Sequence, residues 1–157
     1  MSADRWFAGI ALGCISAVGA ALVSQHVFDM QPCPWCVLQR VIFLAIALAC
    51  VLGLAWRHRI GRRVGASVGA LLALCGIGAA LWQHFKAAAS ASCDLTLADK
   101  IVSRWLQLDQ LLPDVFEPRA SCADAAVSLL GVPYDFWSLA LFVLFGAALL
   151  SIARARR

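Results

Sequence analysis

The stretch Gln31-Pro32-Cys33-Pro34-Trp35-Cys36-Val37-Leu38-Gln39-Arg40 carries a short loop into an apolar run that continues to Trp56. Pro32 and Pro34 suit the start of a helix, because proline lacks the N–H that a first turn leaves unpaired. Cys36 then falls in that first turn, and Arg40 follows four residues later on the same face. A Cys-x-x-Cys dithiol thus stands at the head of a long apolar helix, with a cation one turn below it. The tight spacing of Cys33 and Cys36 closes too small a loop to add much chain-entropy stabilisation, which favours a redox role. A helix N-terminus and a nearby arginine both favour a thiolate at Cys36.

Working outward, the chain of 157 residues is 62% hydrophobic and only 14% charged, against roughly 25% charged in soluble domains. Four runs, Trp6–Ser24, Val37–Trp56, Val64–Trp82 and Phe136–Ala153, are near the 20 residues or so that a bilayer requires of a helix. The first, apolar from Phe7 to Val23, exceeds the roughly 7–15 residues of a secretory signal core, so it reads as a retained span. The expectation is a single integral domain over residues 1–157, an all-α four-helix membrane bundle. Its outward loops cover about 25–36 and 83–135.

The net charge of +4 is a topology signal and not a nucleic-acid patch. Arg57, Arg59, Arg62 and Arg63 crowd the connection between the second and third spans, Arg154, Arg156 and Arg157 follow the fourth, and Arg5 precedes the first. Basic flanks stay cytoplasmic, so both termini are expected inside and both Cys-bearing loops outside. Of the nine acidic residues, all but Asp4 then lie in the outer half.

Glycines at four-residue spacing, Gly9 and Gly13 in the first span and Gly61, Gly65 and Gly69 at the third, are expected to let helices approach closely, with Gly76, Gly78 and Gly146 compatible with that role. The second outward loop is too long to be a plain connection. Within it Leu97, Ile101, Trp105, Leu108 and Leu112 recur at helical spacing among polar residues, after a Thr96–Asp99 capping box and before Pro113. This predicts an amphipathic helix lying on the outer membrane surface with its apolar face down, in preference to a helix whose apolar face packs against a partner protein.

Cys14, Cys50 and Cys75 lie in apolar spans and read as small hydrophobes. Cys33, Cys36, Cys93 and Cys122 all fall in the outward loops, where disulfides persist. Cys93 and Cys122 flank the predicted surface helix, as a structural staple or as an exchangeable disulfide open to a soluble dithiol protein. Zinc usually takes two close Cys or His pairs, which this spacing does not supply, and haem attachment needs a histidine where Val37 stands. No metal is expected. Arg40, a charge inside a span, is a functional candidate by default. His26 and His84 sit at the outer ends of the first and third spans and are candidate cofactor contacts, although lone interfacial histidines are most often polar anchors. Gln83 is a weaker candidate.

Taken together, the four spans, Cys33-Pro34-Trp35-Cys36 with Arg40, Ser92-Cys93-Asp94, Cys122 and the stretch from Pro133 to Trp137 resemble the DsbB family of disulfide bond formation proteins over essentially the whole chain. The resemblance implies a bacterial inner-membrane protein-disulfide:quinone oxidoreductase. It would reoxidise a DsbA-like periplasmic thioredoxin-fold oxidase and pass the electrons to a membrane quinone. It further implies that Cys93 forms the mixed disulfide with the partner, that Cys122 relays to Cys33, and that Cys36 meets the quinone ring with Arg40 beside it. For the DsbA–DsbB–quinone system itself, the partner's established potential is about −120 mV, against about −180 to −210 mV for a glutathione pool of an oxidising compartment. Handing electrons to such a pool would be uphill by roughly 3–4 kcal/mol, so a stronger, lipid-soluble oxidant is needed. Two other readings are weighed: a vitamin-K-epoxide-reductase-like enzyme, in which the dithiol would come late in the chain, and a membrane scaffold with structural disulfides.

Overall fold

In the computed structural model, residues 3–56, 58–87, 97–124 and 127–154 are described. Four long helices dominate: α1 (Ala3–Val27), α2 (Pro34–Ala55), α3 (Arg59–Trp82) and, last in the chain, α7 (Tyr134–Arg154). Each is long and apolar enough to cross a membrane, and the protein is a multi-pass four-helix bundle. The helices outrun the apolar runs that announce them. Side chains that add no hydropathy, such as Asp4 and Tyr134, still extend the hydrogen-bond ladder; α2 starts at Pro34 and not at Val37.

Helix α3 is the central contact element, packing along both α2 and α7, while α1 packs chiefly on α2. Its small residues make this possible. A Cβ on Gly65 would stand 3.0 Å from the Ala49 carbonyl oxygen and 3.1 Å from the Gly53 Cα, so α2 and α3 meet backbone to backbone. Gly69 receives Leu149 and Gly76 receives the Phe142 ring, both from α7. Phe142 also stacks on Phe43 of α2, with ring centroids 4.1 Å apart and planes 9° from parallel. Gly13 of α1 makes room for Phe145, and Gly146 faces Ala73. Gly61 abuts Trp56, which closes α2, whereas Gly9 and Gly78 face open space, so the spacing rule over-assigned these two. Leu12, Leu48, Leu71, Leu74 and Leu144 point outward and exposed, which suits a bundle solvated by lipid. At one end Arg62 pairs with Asp4 at 2.8 Å, fixing the start of α1 beside the start of α3.

At the other end lie the loops. The expected continuous surface helix is not formed. Thr96, of its capping box, lies outside the described residues. Beyond it, α4 (Leu97–Asp99) runs into a wider π-helical turn, Lys100–Trp105. Gln107 then takes a left-handed conformation, φ 50°, which ends the ladder. Two single turns follow, α5 (Leu108–Leu111) and α6 (Pro113–Phe116). The residues buried here are Ala98, Val102 and Phe116, whereas Leu97, Trp105 and Leu112 of the predicted apolar stripe are exposed. Packing under the bundle mouth turns Ala98 and Val102 inward together with Phe116, and most of the large residues of the predicted stripe stay outside. A two-stranded hairpin, β1 (Ser128–Leu129) and β2 (Val132–Pro133), leads into α7.

Gly65→Leu is expected to destabilise the bundle by about 1–3 kcal/mol, the usual cost of overpacking, because the atoms it meets are backbone. Gly9→Ala should leave stability unchanged or slightly raised. Thermal unfolding of the detergent-solubilised proteins measures both.

Candidate thiol centre

Pro34 and the extended backbone of Cys33 (φ −86°, ψ 166°) make Cys33 the N-cap of α2. Its sulfur accepts the Cys36 N–H at 3.3 Å, one of the donors a helix start leaves unpaired. The two sulfurs lie 2.7 Å apart, so the Cys-x-x-Cys spacing at a helix start brings the pair together by local geometry alone. The six described cysteines, Cys14, Cys33, Cys36, Cys50, Cys75 and Cys122, are all free thiols. Cys93, and with it the expected Cys93–Cys122 pair, lies outside the described residues.

The loop delivers a third sulfur. Cys122 is buried beside Cys33. Hydrogen bonding from Cys33 draws its thiol below the ordinary value, with burial opposing and the Trp35 N–H assisting. Cys33 moves the other way. The hydrogen bonds it gives to Cys122 and Cys36, followed by burial, hold its proton on well beyond the ordinary thiol range. Cys122 and Cys33, side by side, are thus shifted in opposite directions.

Below the dithiol the bundle opens into a cavity of about 260 Å³, lined by Cys36, Gln39, Arg40 and Gln83 and by apolar walls that include Val18, Ala21, Phe43 and Leu141. Gln83 donates from Nε2 to the Cys36 sulfur at 3.4 Å, Gln39 donates from Nε2 to Gln83 Oε1 at 2.7 Å, and Ser138 donates to Gln39 Oε1. A chain of neutral donors thus runs from α7 through α2 to Gln83 at the end of α3 and stops on the Cys36 sulfur. Arg40 is 5% exposed. Its Nη1 donates to Gln25 Oε1 and to the Val115 carbonyl, both at 2.8 Å, and its Nη2 reaches the Ala21 carbonyl at 3.4 Å.

The two histidines are placed differently from the other candidates. His84 Nδ1 pairs with Asp135 Oδ2 at 2.8 Å and its ring packs against Phe85 and Phe136. It is Asp135, not His84, that lines the cavity. His26 is exposed and does not line it either. Gln25, Gln39 and Ser138 are site residues that sequence reasoning missed. Each is a polar side chain near the loop-bearing end of an apolar helix, the same signal that singled out Arg40, but uncharged and so less conspicuous.

Three thiols gathered over an apolar cavity at one end of a four-helix membrane bundle define a membrane-embedded thiol–disulfide oxidoreductase. Comparison with known proteins agrees. Residues 3–152 match the family described as "Disulfide bond formation protein DsbB". Curated relatives named Disulfide bond formation protein B include one from Herminiimonas arsenicoxydans, 33% identical over 92% of this chain and 90% of the relative. Another, from Aromatoleum aromaticum, is 36% identical over 96% of this chain and 92% of its own. A third, from Pseudomonas syringae pv. tomato, is 35% identical over 89% and 83%. The chain belongs to the DsbB family, whose members act as thiol oxidoreductases in disulfide bond formation.

The depressed Cys122 thiol makes a pH prediction. The thiolate is the form that alkylates, so in the reduced protein Cys122 should react with iodoacetamide already below the pH of about 8.5 that a free thiol requires. In Cys33→Ala the largest stabilising hydrogen bond is gone, and the profile should move to higher pH. Mass-spectrometric alkylation rates across pH 5–10, a range chosen to span ordinary thiol titration, measure it.

Proposed function

We propose that this protein reoxidises a DsbA-like periplasmic thioredoxin-fold oxidase and passes the electrons to a membrane quinone. Both termini are then cytoplasmic, the protein resides in the bacterial inner membrane, and the Cys-bearing loops are periplasmic. One observation carries the reading: a sulfur path leads from the loop to the cavity. Cys122 of the loop is buried beside Cys33, the Cys33 and Cys36 sulfurs are 2.7 Å apart, and Cys36 lines an apolar cavity.

The residues fit a quinone head group. Flat apolar walls suit a ring, while Arg40, Gln39 and Gln83 supply donors for its carbonyl oxygens. A quinone bound there supplies a two-electron, two-proton acceptor. The protein's own steps are sulfur exchanges. The reduced partner's thiolate attacks the Cys93–Cys122 disulfide at Cys93, forming the mixed disulfide and releasing Cys122 as a thiolate. That thiolate attacks Cys33 of the Cys33–Cys36 disulfide; the Cys122–Cys33 bond forms, the Cys33–Cys36 bond breaks, and the electron pair leaves on Cys36. Gln83 is positioned to stabilise that anion by its N–H donor, and the cation of Arg40 stands nearby. The second thiol of the partner resolves the mixed disulfide and frees the Cys93 thiolate, which attacks Cys122 of the Cys122–Cys33 bond; the Cys93–Cys122 bond re-forms and Cys33 leaves as a thiolate. Cys33 and Cys36 then stand as a reduced pair, and a quinone held beside Arg40, Gln39 and Gln83 would supply the two-electron acceptor that recloses their disulfide. Each cycle converts one partner dithiol to a disulfide and consumes two oxidising equivalents.

Anaerobic addition of reduced partner to the protein in quinone-loaded membranes should bleach the oxidised-quinone absorbance in a one-to-one ratio with partner oxidised. Cys36→Ser should reduce this to background while still trapping a mixed disulfide. Turnover by Cys36→Ser at the parent's rate would remove the dithiol from the mechanism. Labelling of Cys33 and Cys36 by an impermeant thiol reagent only from the cytoplasmic side would overturn the orientation.

A further inference from the structure

Asp114 and Val115 sit in the single turn α6, where their carbonyls face an unusual difficulty. A helical partner for the Asp114 carbonyl would be the N–H of residue 118, which is proline. The partner for Val115 would be the Arg119 N–H, but that group donates to the Pro32 carbonyl at 3.0 Å, joined by the Ala120 N–H at 3.2 Å. Both carbonyls therefore need donors from outside the turn. Gln25 Nε2 donates to the Asp114 carbonyl at 3.2 Å, and Arg40 Nη1 donates to the Val115 carbonyl at 2.8 Å. The two clamping side chains are tied to each other, since Arg40 Nη1 also donates to Gln25 Oε1. Gln25 is 2% exposed and is not part of the cavity wall.

We infer that Gln25 is a positioning residue for the sulfur relay: its amide fastens the Asp114–Val115 turn to the outer ends of α1 and α2, and this registers Cys122 on Cys33. The stretch from Asp114 to Cys122 is held at two points. The Gln25–Arg40 clamp holds its start, and the Pro32 carbonyl holds Arg119 and Ala120, two residues before Cys122. Pro32 directly precedes Cys33, so the second fastening is one residue from the target sulfur. An amide is the side chain this position requires, because it must accept from a guanidinium on one side and donate to a carbonyl on the other. A carboxylate of the same shape would keep the first bond and turn the second into a repulsion. The inference deepens the proposed relay and rests on it for its biological meaning, but its geometry involves no quinone.

The test uses the full-length protein in detergent, in two cysteine backgrounds. With Cys36→Ser and Cys93→Ser, diamide can join Cys33 to Cys122; both thiols lose their protons, the S–S bond forms, and the azo group takes up two electrons and two protons. With Cys93→Ser and Cys122→Ser it can join Cys33 to Cys36 by the same stoichiometry. Gln25→Glu is expected to slow Cys33–Cys122 closure by about tenfold or more, the effect of losing and reversing one buried hydrogen bond. Cys33–Cys36 closure should stay within about twofold of the parent, which also shows that the dithiol end of the bundle is folded. Gln25→Met, which lacks both bonds, should slow the first reaction in the same way. Closure of Cys33–Cys122 at parental rate in both variants would overturn the inference, and so would equal slowing of the two reactions, which marks general damage. Failure of quinone reduction in the parent, with selective slowing by Gln25→Glu intact, would sink the quinone reading and leave this one standing.

Discussion

A guanidinium within a lipid-solvated bundle has to be surrounded by acceptors, because no water is at hand to serve it. Arg40 meets that demand with the Gln25 amide oxygen and the carbonyls of Val115 and Ala21. Those acceptors come from α1 and from the loop before α7, so satisfying one charge ties three separate parts of the chain together. The dithiol lies one turn above, and the cavity that Arg40 helps to line lies beside it. Removing the cation would leave buried carbonyls unpaired as well as a hole in the electrostatics of the site, which is why binding and architectural roles are hard to separate at this residue.

The sulfur chemistry is built on equally local rules. Proline at the start of α2 and an extended Cys33 create a helix N-terminus whose free donors point at sulfur. From there hydrogen bonds distribute the protons unequally, with Cys33 as donor to both neighbours and Cys122 drawn down. The neutral chain Ser138–Gln39–Gln83 does for Cys36 what a charged partner would do at greater desolvation cost. A site made of amides and one arginine keeps its polarity without adding a second buried ion.

Much of this was legible in the residues. Spans announce themselves by composition, and the Cys-x-x-Cys before an apolar run, with Arg40 a turn later, located the centre and its cation. Gly65, Gly69 and Gly76 were read correctly as contact points, because lipid leaves packing as the main source of helix association. The failures share one cause. Spacing shows which face a residue occupies and not whether another helix lies opposite, so Gly9 and Gly78 were given partners they lack. The stripe from Leu97 to Leu112 was likewise periodic on paper, yet Gln107 breaks it and the small residues Ala98 and Val102 turn inward. Tertiary contact with the bundle mouth overrides a pattern that in isolation favours a rod. Gln25 and Ser138 escaped notice because an uncharged polar residue near a helix end has many harmless explanations. Only the carbonyls it faces distinguish this one.

The double acceptance by the Pro32 carbonyl turns the chain between Asp114 and Cys122 into a measured length. A loop anchored once tolerates insertions, since slack is taken up by solvent. A loop anchored twice does not: one residue added between Phe116 and Arg119 would either bulge out or slide Ser121 to the spot where sulfur is wanted. Length variation among homologues should therefore gather upstream, around the kink at Gln107, and avoid this calibrated strip.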